Sequence, residues 1–350
     1  MTQQELFGTT LEEMQQALLP LGFKKFRAEQ IFRWLYEKAA SSFAEMTNLS
    51  KEQRTQLENN FTILPGQLKV VREQRSTDGL TTKVLLGFPD GNCVETVLMQ
   101  HDYGYSVCVS SQVGCNMNCS FCASGLQGMV RNLTCGEILA QIYYFQHSLA
   151  EQGARVSRVV VMGSGEPMLN LEAVLQALQL LHADHGLGIS YRNMTISTCG
   201  IIPGIATLIE RGTKINLAIS LHAPNDELRT ELMPINKKYN YADVVEMAER
   251  YAQTSGRQVM YEYILIDKLN DSEEMARQLV TLLRRKLAVV NLIPANPVPE
   301  KGYRRPRPEA VNNFFQVLKK ANINVTVRRE MGKDIDAACG QLRAKSLQEK

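Results

Sequence analysis

The chain of 350 residues, 44% hydrophobic and 21% charged, can bury a full core, and no apolar run in it approaches the length needed to cross a bilayer. Its eight cysteines follow a polar start, MTQQELFGTTLEEMQQ, with no visible secretory signal, which argues against a short disulfide-framed secreted domain and predicts reduced thiols in the cytoplasm. The formal net charge of +3 is unevenly spread: residues 301–350 hold twelve Lys or Arg against five Asp or Glu, a footprint expected for contact with a polyanion such as RNA.

Residues 9–60 have helical periodicity, with Leu11, Met14, Leu18 and Leu19 on one stripe and Phe26, Ile31, Phe32 and Leu35 on the next. This predicts a small helical accessory region over 1–75. Residues 80–99 read LTTKVLLGF, a Pro89-Asp90-Gly91 turn, then CVETVLM, which predicts a β-hairpin within 76–104 carrying Glu95 on its second strand. Short β-rich runs follow at Ser106–Ser110, Arg158–Met162, Met194–Ser197, Ile215–Leu221, Val259–Leu265, Val289–Ile293 and Asn324–Arg328. Amphipathic stretches such as Cys135–Leu149, Leu171–Leu181, Tyr241–Thr254 and Ser272–Arg285 separate most of them. Such alternation predicts an α/β fold with right-handed crossovers and a parallel sheet, doubly wound or curled into a partial barrel, over 105–300. The basic segment 301–350 completes the chain.

The run SSQVGCNMNCSFCASGLQG holds Cys115, Cys119 and Cys122. A closed zinc site takes four protein ligands, usually as two separated pairs, whereas three thiolates in one short loop suit three corners of an iron-sulfur cube. Zinc stays open as an alternative if Cys108, Cys135, Cys199 or Cys339 completes the set. In a cube the fourth iron is open to a chelating small molecule, and the amino and carboxylate groups of S-adenosylmethionine could supply one. A reduced cluster could then cleave the sulfonium and release a carbon radical. Gly165 and Glu166 in GSGEP suit that ligand, since glycine lets the backbone approach closely and a carboxylate accepts bonds from an amino group. Barrel chemistry gathers at the C-terminal ends of strands. The cysteine loop, GSGEP, Ser197, Ser220 with His222, and Asn296 all follow predicted strands.

The cysteine loop, GSGEP, ISTCGIIP, AISLHAPND, ELMPINKKY, VNLIPANPVP and the tail DIDAACGQLRAK together resemble the radical S-adenosylmethionine RNA methyltransferases of the RlmN/Cfr family, over nearly the whole chain from about residue 10. The resemblance implies a partial (β/α)6-type barrel, a 4Fe-4S cluster on Cys115, Cys119 and Cys122, and S-adenosylmethionine held by Gly165, Glu166, Ser197, Ser220, Leu221, His222 and Asn296. It implies 23S rRNA as substrate, methylated at carbon 2 of an adenine in the peptidyl-transferase centre, a tRNA adenine beside the anticodon as a second one, and an electron donor such as a flavodoxin-type protein. In the reaction that the resemblance implies, two S-adenosylmethionines are used per turnover. Cys339 takes a methyl group from one, and a 5'-deoxyadenosyl radical from the other removes hydrogen from that S-methyl group. The methylene radical adds to the adenine, Glu95 removes the ring proton, and Cys108 forms a disulfide with Cys339 to release the product.

Where the family usually has GMGEP the chain carries Ser164, and Cys135 and Cys199 stand where alanine or serine is commoner. Neither these two nor Cys93 receives a role. Pro167 and the RREMG stretch favour the carbon 2 branch over the Cfr branch, which acts on carbon 8 and confers antibiotic resistance. The alternative from another class is a non-enzymatic RNA-binding protein whose cysteines hold structural zinc.

Overall fold

The computed structural model describes residues 3–296, 302–329, 331, 332 and 335. The chain divides into two compact units, one of Met1–Val113, Arg131–Gly163 and Asn170–Met194, the other of Gly114–Val130, Ser164–Leu169 and Thr195–Lys350.

The first unit opens with β1 (Gln4–Glu5), α1 (Leu11–Leu18), α2 (Lys25–Tyr36), α3 (Lys51–Asn60) and β2 (Phe61–Thr62), the two short strands pairing in parallel. Helix α1 starts where Thr10 and Glu13 cap it reciprocally, the Glu13 N–H donating to Thr10 Oγ1 and the Thr10 N–H to Glu13 Oε2. Of the predicted apolar stripe, Leu19 is 70% and Phe26 48% exposed. Leu19 falls past the end of α1, in a tight turn with Pro20, and Phe26 stands on the outer face of α2. The anchor of this region is the Tyr36 ring, which is buried against Phe7 and Phe32. Its hydroxyl accepts from the Gly8 N–H at 2.7 Å and donates to the Thr9 carbonyl at 2.9 Å.

Next come β3 (Lys69–Arg75), β4 (Thr81–Gly87), β5 (Cys93–His101) and β6 (Gly104–Val109), an antiparallel run, then β7 (Gln112–Gly114), β8 (Met129–Asn132), α4 (Cys135–Ala150), β9 (Val156–Val161) and α5 (Leu171–His182). Strand order in this unit is β3-β4-β5-β6-β9, with β9 parallel to β6. The predicted hairpin is β4 and β5. Strand β3, in the stretch read as helical, joins it as an edge, and most of its residues are exposed, so it carries no apolar stripe by which sequence could mark it.

The second unit repeats strand and helix: β10 (Met194–Thr198), α6 (Ile202–Glu210), β11 (Asn216–Ser220), α7 (Asp226–Leu232), α8 (Tyr241–Ser255), β12 (Val259–Leu265), α9 (Glu273–Leu283), β13 (Ala288–Pro294), α10 (Pro308–Lys320) and β14 (Asn324–Val327). Neighbouring strands β10 to β14 pair in parallel, in chain order. One face of these strands is apolar and buried, through Ile196, Leu217, Ile219, Tyr261, Tyr263, Val290 and Leu292. The alternate residues form the other face, where Ser197, Ser220 and Asn291 are only half-buried. That second face is polar where a buried α/β sheet would be aliphatic, which marks it as the bed of a site.

Candidate functional site

The cysteine loop lies between β7 and β8. Its entry needs a glycine: Gly114 has φ +80°, and a Cβ there would sit 1.9 Å from the Gly128 carbonyl oxygen. The loop closes on itself through the Cys115 N–H to Gly128 O (3.2 Å), the Cys122 N–H to Cys119 O (3.1 Å) and the Met129 N–H to Asn116 Oδ1 (2.8 Å). The Ser120 N–H bonds the carbonyl of Leu232, and Tyr303 donates its hydroxyl proton to Ser120 Oγ. Gly114→Ala should therefore lower stability by about 2–5 kcal/mol, from positive φ and overpacking together, read as a fall in the urea midpoint. An unchanged midpoint would show that the loop entry relaxes freely.

Burial pushes the Cys115 thiol up to about 11 against the Met117 amide, with the charges of Cys122 and Glu166 adding to the rise. Burial raises Cys119 also, again with Cys122 and Cys115 adding. Thiols so close together and so poorly hydrated become thiolates only when a cationic centre takes them up. Among the described residues no three His, Cys, Asp or Glu side chains converge on a single ion. A cube does not require this, because each thiolate binds a different iron. Ser124 Oγ, two residues past Cys122, is buried with no hydrogen-bond partner among the described residues. A sulfide-bearing group would give it an acceptor, so the donor set and its surroundings fit a cluster.

The turn after β9 continues into Ser164–Leu169. Gly165 has φ +107°, a left-handed conformation that side chains resist. Glu166 is buried, and both carboxylate oxygens are engaged: Oε1 accepts from the Met168 N–H (3.0 Å) and Oε2 from the Cys199 N–H (2.8 Å). Burial raises its pKa against those bonds. Expected as an acceptor for a ligand amine, Glu166 already braces the β10 exit, with the Thr198 hydroxyl and the Cys199 thiol bonded to it as well. The Cys199 thiol hydrogen-bonds Glu166, and burial, with that carboxylate, raises its pKa well above normal.

Arg229, fully buried on α7, was not picked out from sequence. Its guanidinium donates to Cys199 O (2.7 Å), Asn236 Oδ1 (2.7 Å) and Leu221 O (3.3 Å), tying together the exits of β10 and β11. Ser197 and Ser220 face each other there, Oγ to Oγ 3.5 Å. Leu221 and His222 both donate their N–H to the Glu262 carbonyl at 3.1 Å. The His222 ring packs edge-on against Phe121 of the cysteine loop at 4.7 Å. Its Nδ1 accepts from the Ile264 N–H (3.0 Å), so the neutral ring carries its proton on Nε2. Register places Ser220, Glu262, Asn291 and Thr326 in one row across β11 to β14, with Asn291 donating to Glu262 Oε2 at 3.0 Å and Thr326 to Asn291 Oδ1 at 3.1 Å. Glu262 and Asn291 had no local motif to reveal them. Asn296 is exposed just past β13.

Burial, with Arg229 adding, depresses His222 to about 3, against 6.5 for the free group. The unfolded chain therefore binds the extra proton below about pH 6.5. Stability that is full above that pH declines as the pH falls toward 3, by at most about 1.4 kcal/mol per unit. His222→Gln should flatten that acid limb in urea midpoints measured against pH. An unchanged slope would assign the limb to other groups.

In the first unit Glu95 and Cys108 lie on adjacent strands, both buried. Val97 is opposite Cys108, and Glu95 is two residues from Val97, so Glu95 and Cys108 share a face of the sheet. Ser110 Oγ donates to the Glu95 carbonyl (2.8 Å), and Lys83 Nζ stands 2.9 Å from Glu95 Oε2. The seven described cysteines form no disulfide. Cys339, and with it the expected Cys108 partnership, lies outside the described residues.

A parallel α/β unit with a three-thiol loop at its strand exits defines the class of radical S-adenosylmethionine enzymes. Residues 109–280 match the family model of the Radical SAM superfamily, and residues 4–63 that of the ribosomal RNA large subunit methyltransferase N-terminal domain. The chain is 51% identical over 331 residues to a protein of Desulforamulus reducens named "Probable dual-specificity RNA methyltransferase RlmN", covering 95% of this chain and 93% of that one. It is 50% identical to the protein of the same name from Bacillus velezensis, covering 99% and 95%. The crystal structure of a radical SAM methyltransferase from Sphaerobacter thermophilus superposes with TM-score 0.93 at 42% identity, covering 97% and 98%. The chain belongs to the RlmN family of dual-specificity RNA methyltransferases, and that membership implies a 4Fe-4S cluster, S-adenosylmethionine and an RNA substrate. Among the described residues no helix is long and apolar enough to cross a membrane.

Proposed function

We propose that the chain methylates carbon 2 of an adenine in the peptidyl-transferase centre of 23S rRNA, and of a tRNA adenine beside the anticodon, in the cytoplasm. The observation that carries the reading is the placement of Glu95 and Cys108 on one buried sheet face, in a chain that also holds the three-thiol loop. When bound, the cluster and two S-adenosylmethionines per turnover supply a methyl group and a hydrogen-abstracting radical, with the electron coming from a flavodoxin-type donor. Cys115, Cys119 and Cys122 hold the irons. The turn at Gly165 and Glu166, with Ser197, Ser220, Leu221, His222 and Asn296, holds the cofactor. Carbon 2 of adenine is not nucleophilic, so the one-carbon unit travels on a protein sulfur, that of Cys339. The unpaired electron of the RNA adduct would return to the oxidised cluster, Glu95 takes the proton from carbon 2, and the Cys108 thiolate attacks the Cys339 sulfur: an S–S bond forms, the sulfur–methylene bond breaks, and its electron pair with one proton from water completes the methyl group, leaving a disulfide that is reduced before the next cycle.

Anaerobic reconstitution with iron and sulfide tests this. A brown protein that cleaves S-adenosylmethionine and methylates unmodified 23S rRNA is expected, whereas a colourless protein holding one zinc and no sulfide would support the RNA-binding alternative. Arg304, Arg305, Arg307, Lys319, Lys320, Arg328 and Arg329 are all exposed around α10 and β14. If they contact phosphates, RNA affinity should fall about a thousandfold between roughly 50 and 200 mM salt, and a salt-indifferent affinity would exclude those contacts while leaving the chemistry intact.

A further inference from the structure

We propose that Lys83 is a positioning residue for deprotonation, its ammonium holding Glu95 aimed on the sheet face that carries Cys108. The inference rests on Glu95 being the base. Lysine is almost never fully buried unless paired, and Lys83 has 0% exposure. Its Nζ lies 2.9 Å from Glu95 Oε2, with side-chain exposures of 1% and 6%. A buried ion pair stabilises a fold little better than apolar residues of the same shape, so stability alone is a weak reason for this one.

The pleat sets the geometry. Lys83 on β4 is opposite Val97, and Val97 is opposite Cys108, so the three form one row across β4, β5 and β6. Glu95 belongs to the neighbouring row, with Leu85 on one side, and Lys83 reaches it diagonally. The other charged or titratable groups that register places on this face are Lys69 and Arg72 on β3, Cys93 and His101 on β5 and Arg158 on β9. His101 bonds Ser106 Oγ at 3.0 Å, and Arg158 covers the Tyr103 ring at 4.2 Å, at the far end of the face. Lys83 Nζ is the cation seen 2.9 Å from the Glu95 carboxylate.

A charge-assisted contact of 2.9 Å fixes where the Glu95 carboxylate points. The step served is one proton transfer. Once the adduct has given up its unpaired electron, carbon 2 of the covalently held adenine gives its hydrogen as a proton to a Glu95 carboxylate oxygen, the C–H electron pair restores the aromatic ring, and the carboxylate becomes the neutral acid.

The test compares Lys83→Met, Lys83→Arg, Glu95→Gln and the double variant Lys83→Met/Glu95→Gln, all as reconstituted holoenzyme. Lys83→Met should load its cluster but accumulate enzyme covalently joined to RNA on denaturing gels, with methylated RNA released about a hundredfold more slowly near neutral pH. Lys83→Arg, which keeps a cation at the same place, should restore the rate. Because Lys83→Met strands a buried carboxylate and can unfold the chain, the double variant, which removes both charges, is compared with Glu95→Gln. Equal release rates are expected, and a further tenfold loss in the double variant would overturn the proposal. So would a Lys83→Met enzyme with an unchanged rate. Full methylation by Glu95→Gln would instead remove the assignment of Glu95 as base, and this inference with it.

Discussion

Cys119→Ala should leave a folded chain that reconstitutes with little iron, does not cleave S-adenosylmethionine and makes no methylated RNA. Cys119 is the middle of the three loop thiols, its pKa raised by burial and then by the charges of Cys122 and Cys115. A side chain in that setting has no partner as good as a metal, and two thiolates hold a cube poorly against solvent. The fold should persist, because the loop is closed by backbone bonds such as the Cys115 N–H to Gly128 O and not by the thiol. Iron and sulfide per chain after anaerobic reconstitution are the readout. Full iron content in Cys119→Ala would transfer the ligand role to another cysteine, Cys199 being the first to examine, since its charge couples to that of Cys119.

Cys339→Ala should be equally complete in its effect on RNA and have none on iron. If Cys339 carries the one-carbon unit, the variant keeps its cluster and still cleaves S-adenosylmethionine reductively, while RNA methylation falls to background. The two variants thus separate the thiols that hold metal from the thiol that handles carbon. Loss of the cluster in Cys339→Ala would make that residue a ligand and undo the division. Cys108→Ala gives a third pattern: the acceptor for the Cys339 sulfur is gone, so enzyme covalently joined to RNA should accumulate.

Signals local in sequence were legible. Strand β12 occupies Val259–Leu265, the run its alternation marks out, and α8 begins at Tyr241, where Asn240 accepts from the Ala242 and Asp243 N–H groups. The three cysteines could be read because their spacing is itself the chemistry. What escaped depends on register between distant strands. Lys83 in TTKVLL reads as a solvent-facing strand residue until β5 places Glu95 beside it. Glu262 and Asn291 become one polar row only when β12 and β13 align, and Arg229 reads as a helix-surface cation until the carbonyls of Cys199 and Leu221 converge on it. The exposed edge strand β3 had no pattern to find. Glu166 stands out within GSGEP, but its bond to the Cys199 N–H joins residues 33 positions apart and has no local signal.

The position of the methyl group on the RNA base bears most directly on the central claim. Mass spectrometry of 23S rRNA from cells lacking and then expressing the chain should show one adenine of the peptidyl-transferase centre gaining a methyl at carbon 2, with the gain lost in Cys339→Ala. A methyl found at carbon 8 of that adenine, and none at carbon 2, would contradict the account.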